Sequence, residues 1–208
     1  MTAIADFTRH LAACPLIAII RGVRPGEAEA IGDAIIGAGI HIVEVPLNSP
    51  DPLHSIERLA KRFGSDALIG AGTVLDAGDV KRVERAGGRI IVSPSTDAGV
   101  IKQSVSCGLV SAPGFFTASE AFAALHAGAH ALKLFPAEAA SPSVVKALKA
   151  VLPAGIPLIV VGGVKPDTMK PWMEAGASGF GLGSGLYKPG QSAADTAAHA
   201  RAYVESLK

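Results

Sequence analysis

Short apolar runs alternate along the chain with longer amphipathic, alanine-rich segments. The runs occupy 16–21, 41–47, 67–74, 89–94, 109–113, 131–136, 156–164 and 179–187. Most are rich in Ile, Val or Leu without clean polar alternation, which is how strands covered on both faces read. Between them, 27–38, 55–63, 79–86, 98–107, 119–127, 144–151 and 168–175 carry helix formers at helical apolar spacing. A last helix is expected near 191–207. Ala-Gly pairs at 38–39, 86–87, 127–128 and 175–176 place glycine where helices end in a left-handed cap. Helix starts are marked by Pro25, Ser49-Pro50, Thr117, Ser141-Pro142 and Pro166-Asp167.

Strands and helices in this alternation predict an α/β fold, a (β/α)8 TIM barrel, with 208 residues at the short end of its range. Residues 1–14 predict an additional N-terminal helix closing the lower barrel mouth. A doubly wound open sheet is the alternative, because periodicity does not reveal closure. No linker, low-complexity stretch or charge block divides the chain, so 1–208 reads as one barrel domain.

Composition narrows the partners. With 49% hydrophobic and 18% charged residues the chain has ample material for a core. A net charge of +1 without basic runs argues against nucleic acid. Cys14 and Cys107 form no C-x-x-C pair and fit free thiols in a reducing compartment. Residues 1–15 lack the apolar core of a signal peptide, and no run approaches the ~20 apolar residues of a membrane span. A cytoplasmic location without membrane contact is the expectation.

Two charges stand inside apolar strands: Lys133 in ALKLFP at 131–136 and Glu44 in IVEVP at 42–46. An ammonium is costly to bury, so a buried lysine loses its proton or finds a partner, and a neutral amine can form a Schiff base. The bland reading has Lys133 near a strand end, snorkelling to solvent. If both side chains point inward, low polarity raises the carboxyl pKa and lowers the amine pKa, poising both for proton transfer. A buried ion pair is the structural alternative.

In a barrel the strand C-termini form the active face. Arg21, Glu44, Thr73, Ser93, Lys133, Gly162-Gly163 and Gly183-Ser184 all fall at that phase of the repeat. Singly they could be a rim salt bridge, a helix cap or tight-turn glycines. The glycine-rich ends at 161–164 and 181–185 let backbone N–H groups approach an anion, where phosphate commonly binds this fold with help from a helix N-terminus. Neither is a G-x-G-x-x-G, so no dinucleotide is expected. The six histidines do not converge with carboxylates on the active face, so neither a metal nor another cofactor is expected.

Together LIAIIRG (16–22), VEVPLNS (43–49), GAGTVL (70–75), IVSP (91–94), ALKLFP (131–136), VGGV (161–164) and GLGSGLY (181–187) resemble the 2-keto-3-deoxy-6-phosphosugar-acid aldolases over nearly the whole chain. The resemblance implies reversible cleavage of a phosphorylated keto-deoxy sugar acid to pyruvate and glyceraldehyde 3-phosphate. It implies Lys133 as Schiff-base lysine and Glu44 as general acid/base. Arg21 and Thr73 would contact the keto-acid part, while Gly162, Gly163, Gly183 and Ser184 would hold phosphate. A homotrimer is the family's usual assembly.

Two branches act on galactonate- and gluconate-derived epimers. VPLNS and Val161 are similar to the galactonate branch, and Phe135-Pro136-Ala137-Glu138 is similar to the gluconate branch. Asn48-Ser49 stands where the gluconate branch commonly has Arg-Thr, which shifts carboxylate recognition toward Arg21 and backbone amides. Phe115-Phe116 is a local variation expected to reshape the pocket. The remaining alternatives are a sugar-phosphate isomerase or epimerase and a non-catalytic phosphosugar-binding module.

Overall fold

A computed structural model describes residues 2–208 and shows parallel strands ringed by helices. Met1, the first residue of the expected N-terminal helix, lies outside the described residues. The strands are β1 (Leu16–Ile19), β2 (Ile42–Pro46), β3 (Leu68–Gly72), β4 (Ile90–Val92), β5 (Val110–Ala112), β6 (Gly114–Phe115), β7 (Leu132–Leu134), β8 (Leu158–Val161) and β9 (Gly179–Leu182). The helices are α1 (Ala3–Ala13), α2 (Pro25–Ile36), α3 (Pro52–Phe63), α4 (Ala77–Arg85), α5 (Ala98–Ser106), α6 (Ala118–His126), α7 (Pro142–Lys149), α8 (Met169–Glu174) and α9 (Ala193–Glu205). Each expected apolar run contains a strand, and several continue into the loop that follows it.

The sheet runs β5-β4-β3-β2-β1-β9-β8-β7-β6, and its two ends are halves of one strand interrupted at Pro113. The lower half pairs with β4 (Ile90↔Val110, Val92↔Ala112), and the upper half pairs with β7 (Gly114↔Lys133). Lys133 N–H also donates to the Pro113 carbonyl at 2.9 Å, carrying the ladder through the proline, which has no N–H to offer. The sheet therefore closes, and the open doubly wound alternative is overturned.

Side-chain alternation divides the core into two layers. Leu16, Ala18, Val43, Val45, Leu132 and Leu134 point outward beneath the helices. Ile17, Ile19, Ile42, Leu68, Ile90, Val92, Val110, Ala112, Ala131, Ile159 and Val161 fill the barrel interior. Phe7 and Leu11 of α1 join that interior layer and cover the lower mouth as expected. Burying each contributes on the order of 1.5–3 kcal/mol. Arg89, just before β4, donates to Asp6 of α1 at 2.7 Å, and His10 stacks on His41 with ring centroids 5.4 Å apart.

Helix boundaries follow the local chemistry. The glycines after α2, α4, α6 and α8 all have positive φ. Thr117 and Glu120 form a reciprocal capping box on α6. One start is corrected: α3 begins at Pro52 behind Asp51, not at Ser49-Pro50. The Ser49 hydroxyl is already taken, accepting the Gly22 N–H at 2.9 Å.

Candidate active site

The interior phase decides which side chains meet. Glu44 lies two residues beyond inward Ile42, and Lys133 two beyond inward Ala131, so both enter the barrel where the apolar layer ends. Glu44 is 2% exposed and Lys133 7%, so the lysine does not snorkel. Above them opens a cavity of about 320 Å³. Arg21, Glu44, Thr73, Lys133, Gly162, Gly163, Gly183 and Ser184 all line it. Below them the space contracts to about 10 Å³, walled by residues that include Ile17, Val92, Ala112 and Ile159.

Burial drives the electrostatics. It pushes the Glu44 carboxyl up to about 7, against the pull of Lys133 and Arg21, which lower it. Burial likewise holds the Lys133 amine below the usual lysine range; Glu44 acts against this shift and Arg21 reinforces it. No ion pair within 4.0 Å joins the two among the described residues. Glu44 Oε2 is buried without a hydrogen-bond partner, and the Lys133 amine lies 4.8 Å from the centre of the Phe135 ring. A buried acceptor unpaired with any protein donor is costly as a carboxylate and favours holding a proton.

Gly72 makes room for the carboxylate. A Cβ there would fall 1.9 Å from Glu44 Oε2. Thr73 follows with φ 55°, a costly conformation for a β-branched residue, about 1–3 kcal/mol. That kink turns Thr73 into the cavity, where its Oγ1 accepts from Arg21 Nη2 at 3.4 Å. Arg21 Nη1 donates to Asn48 Oδ1 at 2.5 Å.

On the opposite wall, Gly162 and Gly163 have φ of 121° and 62°, exposing their backbone to the cavity. The Glu138 side chain lies against both, in the space Cβ atoms would need. The expected helix N-terminus is not at this cradle. A 3-10 turn at Pro166–Thr168 and the six-residue α8 follow β8, and α9 begins only at Ala193. The residues that line this wall, Gly162, Gly163, Gly183 and Ser184, lie in loops.

Two expectations fail on position. Ser93, buried at 3%, falls between the inward phases of β4 and does not line the cavity. Phe115 packs into the outer core and Phe116 is exposed, so neither shapes the pocket.

The model of the KDPG and KHG aldolase family matches residues 7–199. The chain belongs to this aldolase family. It is 49% identical over 194 residues to a 2-dehydro-3-deoxy-6-phosphogalactonate aldolase of Escherichia coli K12, covering 93% of this chain and 95% of that one. A solved structure described as native KDPGal superposes with a TM-score of 0.92 at 49% identity, covering 93% of this chain and 94% of that one. The KDPG aldolase of Legionella pneumophila, solved with pyruvate captured as a covalent carbinolamine, superposes at 0.79 with 28% identity over 95% of this chain and 94% of that one.

Beyond the residues given a role from the sequence, this aldolase's cavity is also lined by Phe135, Glu138, Tyr187 and Lys188. Phe135 continues the inward alternation of 131 and 133, so period-two counting could have nominated it. Tyr187 donates to Glu27 of α2 at 2.9 Å, a contact across 160 residues that no local pattern announces.

Proposed function

We propose that this chain is a class I, Schiff-base aldolase that reversibly cleaves 2-dehydro-3-deoxy-6-phosphogalactonate to pyruvate and glyceraldehyde 3-phosphate. The observation that carries the reading is a buried, pKa-lowered Lys133 sharing one cavity with a buried Glu44 carboxylate whose Oε2 has no partner.

The neutral Lys133 amine adds to the C2 ketone, and the carbinolamine loses water to give a protonated imine. As C3–C4 breaks, its electron pair flows into that imine and leaves an enamine. Glu44 accepts the C4 hydroxyl proton, directly or through water, and releases the aldehyde. The proton then returns to C3, and water hydrolyses the pyruvate imine and restores the free amine. A carboxyl near pKa 7 serves both proton transfers at neutral pH. Arg21 and Thr73 hold the keto-acid carboxylate. Loop N–H groups at Gly162, Gly163, Gly183 and Ser184 hold phosphate, so remote binding energy orients the reacting carbons. The capture of pyruvate as a covalent carbinolamine in the Legionella relative supports the covalent step. The 49% identity to a galactonate-epimer aldolase supports that substrate over the gluconate epimer. By the same resemblance the working form is a cytoplasmic homotrimer.

Borohydride reduction in the presence of pyruvate should leave a stable adduct on Lys133, and its absence would sink the imine mechanism. Lys133→Met should cost several powers of ten in turnover without unfolding the barrel. Faster cleavage of the pure gluconate epimer than of the galactonate epimer would reverse the substrate assignment.

A further inference from the structure

The loop after β2 reaches back to grip the loop after β1 at two consecutive residues. Asn48 Oδ1 accepts from Arg21 Nη1 at 2.5 Å, and Ser49 Oγ accepts the Gly22 N–H at 2.9 Å. Ser49 is 8% exposed, and its own N–H is tied to the Pro46 carbonyl at 2.9 Å. On the far side, a Cβ on Gly22 would meet Pro189 at 2.5 Å, and Tyr187 bonds Glu27 at 2.9 Å. The backbone that carries Arg21 is therefore held from both flanks.

The side chain itself is exposed, and a free arginine has about 2 kcal/mol of rotamer entropy to lose on binding. Asn48 and Thr73 each occupy one terminal nitrogen, using two of its N–H donors. About three of the guanidinium's five N–H donors then remain, enough for a two-pronged carboxylate contact. Asn48 is a neutral acceptor. It fixes the guanidinium without cancelling the charge, whereas an acidic residue there would compete with the ligand's carboxylate.

We infer that Asn48 and Ser49 are positioning residues: Ser49 fixes the backbone behind Arg21, and Asn48 holds its guanidinium preset for the carboxylate of a 2-keto acid. This rests on the aldolase reading above and deepens it, since one preset arginine then suffices for carboxylate recognition. The effect belongs in pyruvate binding, apart from bond cleavage and phosphate binding.

The test is a double-mutant cycle in the condensation direction, following pyruvate and glyceraldehyde 3-phosphate separately. Asn48→Ala should raise the pyruvate KM about tenfold, the scale of one hydrogen bond to a charged group. The aldehyde KM and kcat should stay within about twofold, which a general loosening of the loop would not respect. In an Arg21→Ala background the same change should move the pyruvate KM less than about twofold, because Asn48 acts through Arg21. Asn48→Asp should also raise the pyruvate KM, and added salt should shrink the rise. Equal effects in both backgrounds, or an unchanged KM in Asn48→Asp, would overturn the inference. Failure of the wild type to trap pyruvate under borohydride would overturn the aldolase reading and this inference together. A trapped adduct with an additive cycle would overturn only the inference.

Discussion

Replacing Glu44 by Gln should separate the chemical use of a buried carboxylate from its cost to the fold. Its carboxyl is raised from 4.5 to about 7, chiefly by burial. Between those values the folded chain binds more protons than the unfolded chain, so this group's contribution to stability falls as pH rises through the window. At about 1.4 kcal/mol per pKa unit, the penalty is below about 1 kcal/mol at pH 5 and near 3 kcal/mol at pH 8. The neutral amide removes it. The loss of Glu44 also removes an attraction that supports a proton on Lys133, which offsets part of the gain. Unmet hydrogen bonds of the buried amide lower stability equally at both pH values. The quantity to read is therefore the difference between the two pH values, with Glu44→Gln gaining about 2 kcal/mol more on wild type at pH 8 than at pH 5. Urea unfolding followed by circular dichroism at fixed protein concentration measures it. Turnover should fall by roughly 10²–10⁴. A difference indistinguishable from zero, or one favouring pH 5, would refute the argument that desolvation dominates at this residue.

Gly72→Ala places a methyl 1.9 Å from Glu44 Oε2 and must displace the carboxylate. Kcat should drop about a hundredfold while pyruvate is still trapped by borohydride, and unchanged turnover would contradict the packing argument. Glu138→Gln removes a negative charge lying against Gly162 and Gly163, so the KM for glyceraldehyde 3-phosphate should fall several-fold at low salt and less at high salt. A raised KM would mean that Glu138 helps to hold the substrate. Arg89→Ala removes the 2.7 Å bond to Asp6 and should destabilise the fold by about 1–3 kcal/mol at neutral pH. Burial pushes the Asp6 carboxyl up, but hydrogen bonds from Arg89 and Arg9 outweigh it and leave the pKa lowered. The pair's stability is therefore present above the ordinary carboxyl pKa and is lost as pH falls through the folded value. Thermal melts of Arg89→Ala and wild type should converge below about pH 4, and a constant gap would contradict the linkage.

Most of the architecture was legible because local signals agree with one another. Apolar runs and Ala-Gly stops placed every barrel strand and marked Glu44 and Lys133 as charges inside two of them. Their inward direction, left conditional in the sequence, came from the interior layer that holds Ile42 and Ala131. Closure was not legible, because it depends on a ladder passing through Pro113, whose flanking residues pair with partners 20 residues before them in β4 and 19 residues after them in β7. Ser93 was misplaced because strand-end position alone does not say which face a side chain takes. Asn48 lay inside a quoted motif, but its partner Arg21 is 27 residues away, and no local pattern reveals a hydrogen bond between two loops. Thr73 is similar: its positive φ turns it toward Arg21, 52 residues away, and a β-branched residue in that conformation leaves no signature in the sequence.

The helix α1 contributes nothing to the cavity lining, yet the chemistry depends on what it covers. The pKa shifts of Glu44 and Lys133 come first from desolvation, and desolvation requires that water reach the pair from one side only. The strands alone would leave the lower mouth of the barrel open beneath Ile17, Ile42 and Leu68. Phe7 and Leu11 fill that mouth, and the Asp6–Arg89 pair fastens the helix that carries them. The apolar layer between plug and cavity thus has two roles that cannot be separated. It supplies burial that offsets the cost of two internal ionisable groups, and it is the low-polarity medium that keeps the amine's proton loosely held and the carboxyl's firmly held. A polar side chain introduced into that layer, even one tolerated by the fold, would bring both groups back toward their ordinary pKa values and weaken the pair as a catalytic unit without touching either residue.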